Sequence, residues 1–310
     1  MRSLLTKATL WLLLVLVVGH ACKSTNNPTV TPSSATVSSI TGALALTAST
    51  NTTCGSTTGV AKLVCLAETF KATLSSTQLA TTQLTYSKAN AQKWSNLPAQ
   101  LSARIGIRLD ALNTTQLAIF RDLLVAMLAV TTPEEGYDEM LGNLVADDYL
   151  NTAGGGAGYG AGNFYVSFLG TPSTTGLWSI LFTGHHYTQP YMFNAARNAG
   201  VTPAFRAVEP AAVVTANNRS YQPIEQERVA FATMLTALSS AEQTTAKLST
   251  TFSDVLLGPG KDSQFPTTRL GVQVGTLSAA KKALVLNAIK LYVNDLRACN
   301  RHHDPGKIHG

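Results

Sequence analysis

Apolar residues at helical spacing mark the first part of the chain. Between residues 60 and 86 they recur at positions three or four apart, and the pattern restarts after Ser75-Ser76, which predicts two short helices joined at a serine cap. Residues 112–130 predict a longer helix, in which Asn113 is the N-cap and Gln116 completes a capping box. This part of the chain is therefore predicted to be helical.

The pattern then changes from helical spacing to short strands. One more helix is predicted from Thr132, with Pro133 in its first turn and Glu135 completing a capping box. A glycine-rich connector follows at 154–162, and beyond it apolar segments separated by turn signals predict an antiparallel sheet. These segments read NFYVSFLG, GLWSILFTG, HHYTQPYMFN and VTPAFRAV.

Helical spacing returns in the last third, and the two helical parts resemble each other. Leu74-Ser75-Ser76 and Leu238-Ser239-Ser240 lie almost as far apart in the chain as the similar segments 106–113 and 271–278. This spacing predicts an internal duplication of about 65–130 and 229–295, with chance recurrence of serine caps as the alternative. The expected fold is α+β, with two similar helical blocks around a mainly antiparallel β-sheet.

The N-terminus has the organisation of an export signal. Arg2 and Lys7 precede an apolar run, and small residues lead to Cys22, so residues 1–21 are predicted to be a signal peptide. Two processing routes remain open: lipidation of Cys22, which we favour, and ordinary cleavage after residue 21. Residues 22–59, rich in Ser and Thr, are predicted to form a flexible tether. We therefore expect an exported protein, periplasmic or on the cell surface, held at the membrane by lipid.

The other cysteines agree with an oxidising compartment. A disulfide between Cys54 and Cys65 is predicted to stabilise the fold by about 3 kcal/mol through loop closure, with a buried free thiol as the alternative. Cys299 would then be left alone in residues 297–310, which have no core pattern and are predicted to be an aberrant or disordered tail. A single α+β domain is expected to cover residues 60–296.

The distribution of charge excludes a nucleic-acid partner. The chain carries 23 Lys and Arg against 17 Asp and Glu, a formal net charge of +6. Part of this excess lies in the signal peptide and the tail, which leaves a nearly neutral body without a basic surface. We expect contact with a membrane through the lipid at Cys22, and a small-molecule or protein partner whose identity the sequence leaves open.

Two histidines of the body are the main candidates for chemistry. His185 and His186 follow a predicted strand and Gly184, whose conformational freedom permits a bend. In a straight strand their side chains point to opposite faces, so a divalent metal would take His185 or His186 together with carboxylates from elsewhere. Each is also a candidate catalytic base, and a hydrogen-bonded structural role is the alternative.

Carboxylates and aromatic residues could complete a site around these histidines. The nearest carboxylates are predicted to lie on solvated helix surfaces; they are Glu134, Glu135, Asp138, Glu139, Asp147 and Asp148. Aromatic residues cluster in the predicted sheet, and alternation places about half of them in the core. The other half could line a ligand-binding cleft, for which we select Trp178, Gly184, His185 and His186.

Several short motifs, taken in order, resemble a known family. They are W-S-N-L-P (94–98), R-x-G-x-x-L (104–109), Gly136-Tyr137, Y-G-x-G-N-F-Y (159–165), F-x-G-T-P-S (168–173), Trp178, G-H-H (184–186) and P-A-F-x-x-x-E-P (203–210). Over roughly residues 60–296 the chain resembles the secreted bacterial family catalogued as domain of unknown function 3500. The resemblance implies one exported fold unit without an established activity. It also implies a C-terminal truncation here, because members look as if they continue into further strands.

Two functional hypotheses follow. In the first, an envelope protein binds a ligand or a partner at the aromatic sheet face and the G-H-H motif. In the second, the protein is an enzyme that uses a divalent metal at His185 or His186. The few histidines and the scattered carboxylates favour the first hypothesis. The polar side chains that surround the two histidines should distinguish between them.

Overall fold

The structure is a computed structural model that describes residues 33–45, 52–128, 130 and 133–295. The predicted signal peptide, the lipidation site Cys22, Cys299 and the predicted tail lie outside the described residues.

The described helices lie before and after the sheet in the chain. In order they are α1 (Ser39–Leu44), α2 (Gly59–Ala72), α3 (Ser76–Thr82), α4 (Lys88–Ala91), α5 (Thr114–Met127), α6 (Tyr137–Leu150), α7 (Glu225–Thr236), α8 (Ser240–Ala246) and α9 (Ala279–Asn294). Among the described residues, every helix is too short or too polar to span a bilayer.

The described strands form two sheets. In chain order they are β1 (Ser33–Ser34), β2 (Gln83–Leu84), β3 (Ile107–Arg108), β4 (Tyr165–Leu169), β5 (Leu177–Gly184), β6 (Tyr187–Asn194), β7 (Arg197–Gly200), β8 (Phe205–Arg206), β9 (Val214–Ala216) and β10 (Arg219–Tyr221). The main sheet has the order β2-β4-β5-β6-β7, with β3 beside β4 and β8 beside β6. All its pairs are antiparallel except β2 with β4. The small sheet has the order β1-β9-β10. The predicted α+β fold with a mainly antiparallel sheet is confirmed.

The main core joins α2 and α5 to the main sheet. Phe70 of α2 lies 5.4 Å from Phe120 of α5, and Phe120 lies 5.7 Å from Phe182 of β5 between ring centroids. All three rings are buried, so each contributes apolar area to the same interior. This packing fixes the sheet, and with it the β5–β6 hairpin that carries the two histidines.

Local signals predicted the helix starts correctly in most places. Ser75, Asn113 and Ser239 each form a capping box with the residue three positions later. The box at Asn113 was predicted, and at Ser75 the prediction was a serine cap. The prediction of a helix from Thr132 is wrong, because α6 begins at Tyr137 and Glu135 lies in the preceding turn. Gly136 at the N-cap has a φ of 57°, a left-handed conformation that ends the turn and that favours glycine.

The disulfide prediction is confirmed, because Cys54 and Cys65 form a disulfide. The prediction of a flexible tether is wrong for part of that segment. The predicted tether is partly folded, because β1 pairs with β9 and α1 buries Thr41 and Leu44 against the body. Asp148 of α6 holds this segment by accepting hydrogen bonds from the Ser38 amide at 2.9 Å and the Thr41 hydroxyl at 2.7 Å.

Part of the element order of the first helical block recurs in the second, whereas β2, α4 and β3 have no counterpart among the described residues there. A 3-10 turn at Leu109–Ala111 precedes α5, and another at Val274–Thr276 precedes α9, while α8 follows α7 as α3 follows α2. The duplication itself stays a prediction. The two blocks differ in burial: α7 buries only Glu227 and α9 only Ala288, whereas α5 buries most of one face.

Candidate metal centre

His185 and His186 form the two-residue turn between β5 and β6. Strand β5 ends at Gly184 and β6 begins at Tyr187, and His186 adopts a left-handed φ of 56°. The two rings stack with their centroids 4.0 Å apart, on the same side of the hairpin. The expected bend therefore lies in the histidine pair itself, and it removes the alternation that would have separated the two side chains.

Gly184 has a packing role. Its φ is not in the left-handed region, but a Cβ at this position would lie 2.2 Å from the Phe164 ring. Gly184 thus lets Phe164 pack against the end of β5, and this close approach replaces the predicted bend as the reason for glycine here.

Trp178 lies in the core at the opposite end of β5. Its ring stacks on Phe193 at 4.3 Å, and its Nε1 donates a hydrogen bond to the Ser173 carbonyl at 2.8 Å. The other sheet aromatics are buried as well, except the partly buried Tyr165 and Phe205. The expected aromatic ligand face is therefore absent from β5 and β6, where every aromatic side chain is buried.

Asp147 of α6 orients His185. Its Oδ1 lies 2.6 Å from Nδ1 of His185, and its Oδ2 accepts the Gly160 amide at 2.8 Å. Burial raises the pKa of Asp147, and the contact with His185 opposes this shift. An ionised carboxylate can only accept, so Nδ1 of His185 donates to Asp147, and in the neutral imidazole Nε2 is the nitrogen with the lone pair that a metal would bind.

His186 is held as a neutral imidazole. Burial and the neighbouring His185 lower the pKa of His186 to about 3. Its amide donates to the Asn96 carbonyl at 3.2 Å and its carbonyl accepts from Ala207 at 2.9 Å, which fixes the backbone on both sides. Nδ1 of His186 is buried and has no hydrogen-bond partner among the described residues. In the tautomer that is protonated at Nε2, Nδ1 of His186 would offer a lone pair to a cation.

Glu209 supplies a carboxylate at the opening of the site. Its Oε2 lies 3.7 Å from Nε2 of His185, and its side chain is 46% exposed. One potential ligand atom each from His185, His186 and Glu209 lie within 4.8 Å of one another, and no other such group occurs in the part of the chain that the structure describes. We call these three residues the histidine site.

Two further residues support the histidine site. The buried Arg104 donates to the carbonyls of Ser95 and Leu97, which hold the loop that presents Asn96 to His186. Burial lowers the pKa of Arg104 to about 10. Tyr159 packs edge-on against the His185 ring at 5.0 Å. W-S-N-L-P, R-x-G-x-x-L, Y-G-x-G-N-F-Y, G-H-H and P-A-F-x-x-x-E-P therefore all contribute to one site.

The prediction that the carboxylates around α6 are solvated is wrong for four of them. Glu135, Glu139, Asp147 and Asp148 are buried. Of the two carboxylates beside the histidines, Asp147 was named from the sequence but was expected to be solvated, and Glu209 was not named as a possible ligand. The only local signal for Asp147 was an acidic pair late in a helix, where favourable interaction with the helix dipole is absent.

A second group of buried carboxylates lies at the junction of α6, α7 and α9. The acidic cluster, as we name it, consists of Glu135, Glu139, Glu227 and Asp295, which are all buried. The buried Arg206 faces it, with Nε 3.5 Å from Glu139 Oε1 and 3.6 Å from Asp295 Oδ2. Only one guanidinium faces the four carboxyls, so full ionisation of the cluster would leave an excess of negative charge in the interior.

The comparison with known families covers most of the chain. Residues 56–309 match a family model described as a protein of unknown function (DUF3500). The chain belongs to this family. The match extends past residue 296, where the resemblance noted from the sequence ended, and includes most of the predicted tail. No curated protein and no solved structure matches this DUF3500 member.

Proposed function

We propose that this DUF3500 protein binds one divalent transition-metal ion at the histidine site and uses it in catalysis. The observation that carries the proposal is the hydrogen bond from His185 Nδ1 to Asp147, at 2.6 Å. Metal-ligating histidines characteristically donate their second ring nitrogen to a carboxylate, which fixes the tautomer and the ring orientation. Here this arrangement directs Nε2 of His185 to the side where Glu209 lies.

The number and type of ligands support a catalytic ion. Two imidazoles and one carboxylate are a ligand set of catalytic zinc, whereas structural zinc has four protein ligands. An ion held by three residues keeps a position for water or substrate, and it would lower the pKa of that water. Because the Glu209 side chain is half-exposed, this position would lie at the opening of the site. The surrounding carboxylates thus favour the metal hypothesis over the aromatic sheet face.

The metal proposal is tested on full-length protein purified without an affinity tag. We expect about one zinc-class ion per chain by plasma mass spectrometry, and its loss in His185→Ala and in His186→Ala. Glu209→Gln should weaken binding, whereas Glu68→Gln, an exposed carboxylate on α2, should retain the ion. Folded wild-type protein that takes up no stoichiometric metal from a zinc-, manganese- or iron-containing buffer contradicts the proposal.

We also propose that the protein is exported and anchored to a membrane by lipid at Cys22. The apolar N-terminal run with its two cations supports export. The disulfide between Cys54 and Cys65 agrees with an oxidising compartment.

Labelled palmitate distinguishes the two processing routes. In a bacterial host we expect incorporation of label into the wild type, its loss in Cys22→Ser, and its retention in Cys299→Ser. A mature wild-type protein that begins at residue 22 and carries no label would instead establish ordinary cleavage.

A further inference from the structure

The second helical block, α7 to α9, has little apolar attachment to the rest of the protein. None of the described residues of these three helices belongs to the main core or to the smaller core beside the small sheet. The rings of Phe231 in α7 and Tyr292 in α9 instead pack on each other, 6.2 Å apart between centroids. The block is therefore held against the body by something other than a shared hydrophobic core.

The block meets the body at the acidic cluster. Glu227 of α7 and Asp295, the residue that follows α9, are both buried there. Glu135 and Glu139, from the turn before α6 and from α6 itself, are the buried carboxyls on the body side. Oδ1 of Asp295 accepts a hydrogen bond from the Gly136 amide at 2.9 Å, which joins the end of α9 to the start of α6. Carboxyl groups thus form much of the buried contact between the two parts.

The acidic cluster has too little positive charge to stay fully ionised. Arg206 of β8 supplies one positive charge beside Glu139 and Asp295. The other titratable groups that face the cluster add none; they are Glu134, Tyr187, Tyr191 and Tyr292. Each of the four carboxyls also has a buried oxygen without a hydrogen-bond partner among the described residues. Ionised carboxylates in this position would lose their hydration and repel one another.

Protonation of the cluster relieves both costs. A protonated carboxyl is a donor as well as an acceptor, so it can bond to a neighbouring carboxylate across the contact. Burial, followed by the neighbouring Glu227 and Asp295, raises the pKa of Glu135 from 4.5 to about 8. Burial also raises the pKa of Glu139 on the body side and of Glu227 on the block side. Carboxyls on both sides of the contact are therefore suited to hold a proton near neutral pH.

We propose that the acidic cluster is a pH-dependent latch, which holds the second helical block on the body while its carboxyls are protonated and releases it when they ionise. In the released state the carboxyls are solvated and have ordinary pKa values, so protons favour the closed state. That preference is lost as the pH rises through about 8, the pKa of Glu135 in the closed state. Because the main core contains no residue of the block, the body can stay folded after release.

Strand β8 connects the latch with the histidine site. Successive side chains of a strand point to opposite faces, so Arg206 faces the acidic cluster while Phe205 lies on the other side. The ring of Phe205 is 6.3 Å from the ring of His186, and the amide of Ala207 donates to the His186 carbonyl. The latch itself contains none of the proposed metal ligands, so the latch and the metal proposal can fail independently.

Hydrogen–deuterium exchange on the full-length protein, measured by mass spectrometry at about pH 6.5 and about pH 9, tests the latch. Protection factors are compared, because they remove the intrinsic pH dependence of exchange. The helices α7 and α9 bury few side chains of their own, so once released they should exchange readily. We expect their protection factors to fall about tenfold or more, since each proton lost on opening changes the closed fraction about tenfold per pH unit. Protection of α2 and α5 should stay unchanged.

Variants on the two sides of the contact show whether the carboxyls are the cause. Glu139→Gln and Glu227→Gln each replace a raised-pKa carboxyl by a neutral amide, so both should retain more protection of α7 and α9 at about pH 9. The matched control is Glu225→Gln, on the same helix as Glu227, where the carboxylate pairs with the exposed Arg228 instead. This variant should lose protection as the wild type does.

Three results would overturn the latch. The first is equal protection of α7 and α9 in the wild type at both pH values. The second is a parallel loss in α2 and α5, which would mean that the whole protein unfolds and the block is not released by itself. The third is a loss of the same size in Glu139→Gln, Glu227→Gln and Glu225→Gln. The wild-type comparison decides the first two points even where a variant fails to fold.

Discussion

The free energy of unfolding is expected to fall as the pH rises from about 6.5 to about 8. The cause is the acidic cluster, where burial and mutual repulsion raise the pKa of Glu135 from 4.5 to about 8. Burial likewise raises the pKa of Glu139 and Glu227. The folded protein therefore keeps protons that the unfolded chain releases above its ordinary carboxyl pKa. The contribution of these carboxyls to the free energy of unfolding is therefore largest at low pH, and it is lost as the pH rises through their pKa in the folded protein.

Measuring between about pH 6.5 and pH 8 separates the effect of the acidic cluster from that of His186. The pKa of His186 is lowered from 6.5 to about 3, so this group contributes stability that increases with pH and is complete above about 6.5. Between about 6.5 and 8 the contribution of His186 no longer changes, so we expect the raised-pKa carboxyls to set the trend. Each additional proton bound by the folded state contributes a slope of about 1.4 kcal/mol per pH unit.

Urea unfolding at several pH values in this interval measures the slope. Glu139→Gln and Glu227→Gln replace a raised-pKa carboxyl by a neutral group of similar shape, so both should flatten the pH dependence. Glu68→Gln, on the exposed face of α2, should leave it unchanged. A stability that is constant or increases from about 6.5 to about 8 would mean that the cluster is not protonated in the folded protein.

Asp147→Asn is expected to lower metal affinity about 10- to 100-fold, the range found when the carboxylate partner of a metal-bound histidine is lost. The amide can still accept from His185 Nδ1, but it has no negative charge to strengthen the ligand. Asp147 acts here as a positioning residue, since His185 Nε2 and not Asp147 would contact the ion. Competition with a metal-selective chelator gives the affinity of each variant.

Asp148→Asn is the matched control for this variant. Asp148 is the next residue of α6, is also buried, and contacts Ala161, Ser38 and Thr41 instead of His185. We expect it to lower the stability of the apo protein and to leave metal affinity close to that of the wild type. If both variants lose affinity equally, or if neither does, Asp147 does not orient a metal ligand.

The sequence by itself determined the local features of this protein. Capping boxes at Ser75, Asn113 and Ser239, the β5–β6 hairpin and the disulfide were all predictable, because each depends on residues close together in the chain. The motif order likewise identified the family. His185 and His186 were recognised from the sequence as the main candidates for a functional site.

Tertiary structure alone decided what surrounds that pair. Asp147 and His185 are 38 residues apart, and their contact depends on how α6 packs against the hairpin. Hydrophobic spacing also could not show that α6 is covered on almost every side, which brings Glu139, Asp147 and Asp148 into the interior. Amphipathic patterns report a helix with one solvated face, whereas a helix enclosed by neighbours must bury its polar residues and find them partners. For Asp147 that partner is His185, and this contact turned two adjacent histidines into a candidate metal centre.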